Sequence, residues 1–222
     1  MAVNWSGAVC CMVIVESKSH ARDFVLPRIL MQPGWQNSGP QHWQTLWERR
    51  LGSAASRVEQ RDWFHPDKEE WLAALKAYVV AEERPAVILA HSMGCIATAM
   101  LLANGGMEKS RIAAAVLVAP ADTERPGEEA ALSNFAPIPN CALGVPTLVI
   151  ASSDDPYCPV ERARAFVDAW QADLHILANA GHINAESGFG PWPDGWQLVE
   201  AWIRQHVDAP AYSTRAGRGV GD

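Results

Sequence analysis

Five short runs in this chain are apolar almost throughout: Arg28 to Met31, Ala86 to Ala90, Ala113 to Ala119, Pro146 to Ala151 and Leu174 to Leu177. A strand with no polar face has to be covered on both sides, which is the condition of a parallel sheet between two helical layers. Helical stretches fall between the runs. Trp43 to Leu51 is one; Asp67 can cap a second, in which Trp71, Leu72, Leu75, Tyr78 and Val79 recur at helical spacing. Cys95 to Asn104 is Ala- and Leu-rich and stops at Gly105-Gly106, and Val160 to Gln171 and Trp196 to His206 complete the set. Ser56 to Gln60 is a weak further strand. The expected fold is α/β, a three-layer α/β/α sandwich with a mostly parallel sheet.

A chain of 222 residues with 49% hydrophobic and 19% charged residues can bury one large core. Its net charge of -7 argues against nucleic acid or an anionic membrane as partner, since both call for a basic face. The five cysteines, Cys10, Cys11, Cys95, Cys141 and Cys158, are odd in number and form no C-x-x-C pair, so neither a disulfide framework nor a metal site is expected. Ala8 to Val15 is apolar, but it is too short to span a membrane and no Lys or Arg precedes it. A cytoplasmic location is expected. Residues 1–23 stand outside the alternating pattern as an N-terminal extension, 24–207 form the expected domain, and 208–222 read as a disordered tail. Residues 122–140 are too irregular to assign and suit either a short lid or a loop at the edge of a site.

Ala90-His91-Ser92-Met93-Gly94 lies between an apolar strand and an apolar helix, which is the setting of a nucleophile elbow, G-x-S-x-G. The sharp turn holds the serine in a strained conformation and needs small residues two positions to either side. Ala90 replaces the first glycine of that pattern and Gly94 keeps the second. The N–H of Met93 would donate to a developing oxyanion, and the helix beginning there favours negative charge. An ordinary helix-capping turn would also contain Ser-x-Gly; the flanking strand and small residues favour the catalytic reading. A serine needs a base, and the base an acid to orient it, in the chain order Ser, Asp, His. Ser152-Ser153-Asp154-Asp155-Pro156 follows one apolar strand and Gly181-His182 follows the last. Asp155 is preferred to Asp154, which suits a role in capping the next helix. His182 is better placed than His20, His42, His65, His91, His175 or His206.

With these motifs in view the chain resembles the small serine hydrolases that include retinoblastoma-binding protein nine and the bacterial YdeN type. The matching stretches are Pro33-Gly34-Trp35, Ser38-Gly39-Pro40-Gln41-His42-Trp43, Gln60-Arg61-Asp62-Trp63 with Pro66, Ala90 to Cys95, Ser152 to Tyr157 and Gly181 to Asn184. The resemblance implies an α/β-hydrolase fold without a large cap domain, ester hydrolysis, and Ser92, Asp155 and His182 as the catalytic triad. It also implies that the Gly34-Trp35 loop supplies the second oxyanion donor, at Trp35; Gly34, Trp35 and His91 are expected to border the substrate. A small-molecule ester substrate is expected, with no cofactor and no metal. The competing readings are a non-catalytic binding protein that keeps the fold and a hydrolase of amide bonds. Among the ten tryptophans, Trp71 and Trp202 read as core, whereas Trp35, Trp43 and Trp63 suit either an aromatic acyl pocket or packing beneath loops.

Overall fold

The computed structural model describes residues 26–127 and 129–207; the expectations for 1–23 and 208–222, with Cys10 and Cys11, lie outside the described residues. Six strands, β1 (Arg28–Gln32), β2 (Ala55–Arg57), β3 (Ala86–His91), β4 (Ile112–Val118), β5 (Thr147–Ser152) and β6 (Asp173–Leu177), form one sheet. Its order is β2-β1-β3-β4-β5-β6 and every pairing is parallel. The helices are α1 (Trp43–Leu51), α2 (Lys68–Val80), α3 (Met93–Ala103), α4 (Val160–Trp170) and α5 (Pro193–His206). The weak strand expected at 56–60 is instead the three-residue β2, because only Ala55, Ser56 and Arg57 find partners, on Ile29, Leu30 and Met31.

The alternation of side chains along the strands divides the core in two. Leu30, Ile88, Ala90, Leu117 and Val149 pack against α2, α3 and α4. Ile29, Met31, Val87, Leu89, Val116 and Ile150 face the other way, against α1 and α5. Helix α3 is buried along most of its length, which accounts for its apolar composition. Helix α2 starts where Asp67 accepts the Glu70 N–H at 3.0 Å. Its far end has no basic residue of its own. Arg28 of β1 fills that role, donating to the carbonyls of Tyr78 and Val79 at 2.8 and 2.9 Å.

Chain order reverses at β1, whose neighbours are β2 and β3. In open parallel sheets, the crevice outside the C-terminal ends of the strands at such a reversal is where ligands bind. Here those ends are Gln32, leading into Pro33-Gly34, and His91, leading into Ser92.

Candidate active site

Ser92 leaves β3 and enters α3 with φ 56° and ψ -128°. An L-residue there carries strain of roughly 1–3 kcal/mol, which the surroundings must enforce. The chain is packed too closely for a looser turn. A methyl group on Gly94 would lie 2.4 Å from the Pro33 carbonyl oxygen and 2.5 Å from that of Gln32. Ala90, the departure from the glycine pattern, is fully buried between Gln32 and Leu117 in register. The main chain at Gly34 passes directly over the serine. A methyl there would lie 2.8 Å from Ser92 Cβ, 3.0 Å from the His91 carbonyl oxygen and 3.3 Å from Ser92 Oγ. The loop after β1 is therefore in close contact with the turn that carries Ser92. Gln44 of α1 fixes the approach, its amide donating to the carbonyls of Gln32 and Leu89 and its oxygen accepting from Ser38 Oγ at 2.6 Å.

His182 sits in the loop after β6. Its Nε2 is 2.8 Å from Ser92 Oγ, and its Nδ1 is 3.0 and 2.9 Å from the two oxygens of Asp155. Asp155 is buried and also accepts the Tyr157 N–H at 2.9 Å. The three residues lie 90 and 27 positions apart in the chain and meet in one hydrogen-bonded line. Such a line can pass the hydroxyl proton to the imidazole while the carboxylate holds the tautomer and stabilises the cation that forms.

Asp154 turns elsewhere. Its Oδ1 accepts from Ser152 Oγ at 2.7 Å and from the Gly181 N–H at 2.8 Å. The Ser152 hydroxyl first, and then the Gly181 N–H, hold this carboxyl below the usual carboxylate range. The expected helix-capping role is corrected: α4 is entered from Pro159 with no side-chain cap, and Asp154 ties the His182 loop to β5 instead.

Two further histidines line up with His182. The ring of His91 lies 4.9 Å from that of His182 and 4.7 Å from that of His42. Burial, then Arg57 and His182, pushes His42 down to about 3, and burial likewise holds His91 well below its ordinary value. Both are therefore neutral at pH 7. The cysteines nearby are protonated: burial pushes the Cys158 thiol up to about 12 and raises that of Cys95.

Ser92 opens into a pocket of about 430 Å³ whose lining includes Trp35, Asn37, Leu132, Tyr157 and Asn184, with Gly39, His42 and His91 also at its boundary. Of the three tryptophans considered for an acyl pocket, only Trp35 borders it. Trp43 is fully buried and donates to the Ile183 carbonyl at 2.9 Å, and Trp63 packs edge-on to Trp71. Residues 122–140 supply a wall through Arg125, Glu129 and Leu132. That wall is anchored by Phe135, which is buried near Trp71, by Arg162 pairing with Asp122 and Glu124, and by Asn134 donating to the Pro66 carbonyl. These contacts tie the described residues of the segment to the body of the fold. Tyr157, whose ring lies 4.5 Å from His182, and the tether at Asp154 escaped the sequence reading, as did the place of His42. The signal for Tyr157 was its position two residues after Asp155.

Among the described residues no group of three or more His, Cys, Asp or Glu is arranged to hold a metal ion, and no helix is long and apolar enough to cross a membrane.

A family model described as serine hydrolase matches residues 29–201. The YdeN protein of Bacillus subtilis (strain 168), named as a hydrolase, is 25% identical over 181 residues, 78% of this chain and 95% of that protein. The crystal structure of a YdeN-like hydrolase from Pectobacterium atrosepticum is 33% identical, covering 81% of this chain and 92% of that one, with a TM-score of 0.71. The esterase domain of a Rhodothermus marinus protein, 17% identical, shares the fold with a TM-score of 0.60 over 85% of this chain and 90% of that one.

Proposed function

This chain belongs to the serine hydrolase family, and from that premise we propose that it cleaves carboxylic esters of small acyl groups through an acyl-enzyme. The observation that carries the reading is the line Ser92 Oγ, His182 Nε2 and Nδ1, Asp155, with Ser92 and His182 lining an open pocket and the serine held at positive φ. In this reading Ser92 Oγ attacks the ester carbonyl carbon and its proton passes to His182 Nε2. The carbonyl oxygen becomes an oxyanion held by the N–H groups of Met93, at the start of α3, and Trp35. The C–O bond then breaks and the alcohol leaves with the proton from His182. Water attacks the acyl-Ser92 carbonyl, giving its proton to His182, and the carboxylic acid departs as Ser92 recovers its hydrogen. Asp155 stays ionised throughout and stabilises the imidazolium.

Gly34 and Trp35 border the acyl group in this reading, and the wall from 122–140 faces the leaving alcohol. Mixed polar and apolar lining suits small acyl groups better than long alkyl chains. No cofactor takes part, and the work is done in the cytoplasm, a location supported by the free thiols of Cys95, Cys141 and Cys158 among the described residues.

The test is covalent labelling with a fluorophosphonate together with turnover of a panel of p-nitrophenyl esters of increasing chain length. Wild-type protein should label at Ser92 and favour the short esters. Ser92→Ala should lose the label and lower kcat by roughly 10⁴- to 10⁶-fold. Labelling at another serine would overturn the assignment, and labelling without ester turnover would point to an amide or to another bond.

A further inference from the structure

Four consecutive residues of the loop that carries His182 have their backbone groups bound by side chains from elsewhere in the fold. The Ala180 N–H goes to Ser152 Oγ at 3.0 Å and the Gly181 N–H to Asp154 Oδ1 at 2.8 Å. On the other side the carbonyls of His182 and Ile183 accept from His91 Nε2 and Trp43 Nε1, each at 2.9 Å. The loop needs such restraint, because Ile183 is at φ 49°. A β-branched residue there is a clear outlier, and it persists only where neighbours over-determine the backbone.

His91 is the last residue of β3, immediately before the serine. Ala90 faces α2, α3 and α4, so the alternation turns His91 toward the layer of α1 and α5, where His42, Trp43 and the His182 loop lie. A carbonyl oxygen can only accept, so His91 Nε2 bears a hydrogen. We propose that His91 is a positioning residue for the general base: its Nε2–H bond to the His182 carbonyl fixes the main chain of the base against the very turn that holds the nucleophile. One side chain thereby couples the two reacting groups, independently of the bond they make with each other. The proposal rests on His182 serving as the base of a serine hydrolase.

The ring has little surface to offer a substrate, being 5% exposed although it borders the pocket. Neutrality also suits the role. A charged His91 would stand 4.9 Å from the imidazolium formed in each cycle and oppose it, and burial together with His42 and His182 keeps His91 uncharged.

The full chain and three variants, His91→Leu, His91→Gln and His91→Asn, separate this role from the alternatives. Gln can place an amide N–H where Nε2 lies; Asn is too short and Leu cannot donate. Each is measured for the second-order rate of fluorophosphonate labelling, for kcat and KM on p-nitrophenyl acetate, and for thermal midpoint. A displacement of about 1 Å in the base is enough for His91→Leu to lower both the labelling rate and kcat by on the order of 10- to 100-fold. KM should stay within about threefold, because ground-state binding is untouched. His91→Gln should recover most of the loss and His91→Asn little of it. A raised KM with unchanged kcat would make His91 a substrate contact and overturn the proposal. So would equal losses in the Gln and Leu variants, the mark of packing alone. If His91→Leu fails to fold, the Gln and Asn pair decides by the same readouts. Wild-type protein that labels but hydrolyses no ester would overturn the ester reading while the labelling rates still judge His91; wild-type protein that does not label would overturn both.

Discussion

Asp154 and Asp155 are neighbours in the chain with opposite destinations. Successive side chains leaving a strand point to different sides, so one carboxylate faces the imidazole of His182 while the other accepts the Gly181 N–H. Asp155→Asn should leave the fold intact and lower kcat by up to about 10⁴, since the amide holds the wrong imidazole tautomer. Asp154→Asn keeps an oxygen that can accept from Gly181 and should cost far less. Steady-state kinetics on the two variants decides, and an inactive Asp154→Asn beside a normal Asp155→Asn would reverse the roles. His42 makes a second prediction at this scale. Its Nδ1 accepts the Gln44 N–H at the start of α1, and its folded pKa lies at about 3 against an ordinary 6.5. A histidine held neutral contributes its full stability above about pH 6.5 and loses it as pH falls toward 3, because the unfolded chain binds the proton first. The groups around it are His91, His182 and Arg57. Denaturant unfolding at pH 7 and pH 4 should show wild-type protein losing more than His42→Asn, by on the order of a few kcal/mol. Asn at 42 can still cap α1. Equal losses would mean that His42 is not what acid attacks.

At the scale of elements, the β3–α3 turn and the loop after β1 are built in contact. Gly94 has main-chain carbonyls of Gln32 and Pro33 where a Cβ would go, and Gly34 has the serine itself. Gly94→Ala should therefore destabilise the protein by roughly 1–3 kcal/mol, the usual range for overpacking, because backbone rather than a flexible side chain must give way. Gly34→Ala should be milder in stability and severe in rate, since in the proposed mechanism its methyl pushes the Trp35 N–H away from the oxyanion. Thermal midpoints and labelling rates on the two variants test the contrast. A Gly34→Ala protein that labels at the wild-type rate would remove Trp35 from the oxyanion site.

For the molecule as a whole, the parallel sheet brings the loops that follow β1, β3, β5 and β6 to one edge, and each contributes a different part: Gly34–Trp35, Ser92, Asp155 and His182. The opposite faces of the sheet are closed by two separate cores, one of them crowded with indoles, in which Trp47 lies 4.6 Å from Trp43 and 5.2 Å from Trp196. The proton chemistry proposed needs only these side chains and main-chain amides. Dialysis against a chelator should therefore leave ester turnover unchanged, and a loss restored by a divalent ion would count against the mechanism.

The strands and helices were legible in the sequence because each follows from local chemistry: unbroken apolar runs for buried parallel strands, helical spacing for α2, and glycine or proline at the ends. That Ser92, Asp155 and His182 belong together could be read for a related reason. A strained turn requires small neighbours and the loops after particular strands must carry the acid and the base, and both requirements leave marks within a few residues. Other features depended on which side chains meet across the finished sheet. Trp43 and Ile183 are 140 residues apart and His91 and His182 are 91 apart, and no local pattern announces either contact. The same is true of Asp154, which looks like a helix cap in one dimension and becomes a loop tether in three. Local periodicity specifies the elements, whereas strand order and side-chain direction at the sheet edge decide which of several histidines reaches the serine, which of two adjacent carboxylates reaches that histidine, and which tryptophan borders the pocket.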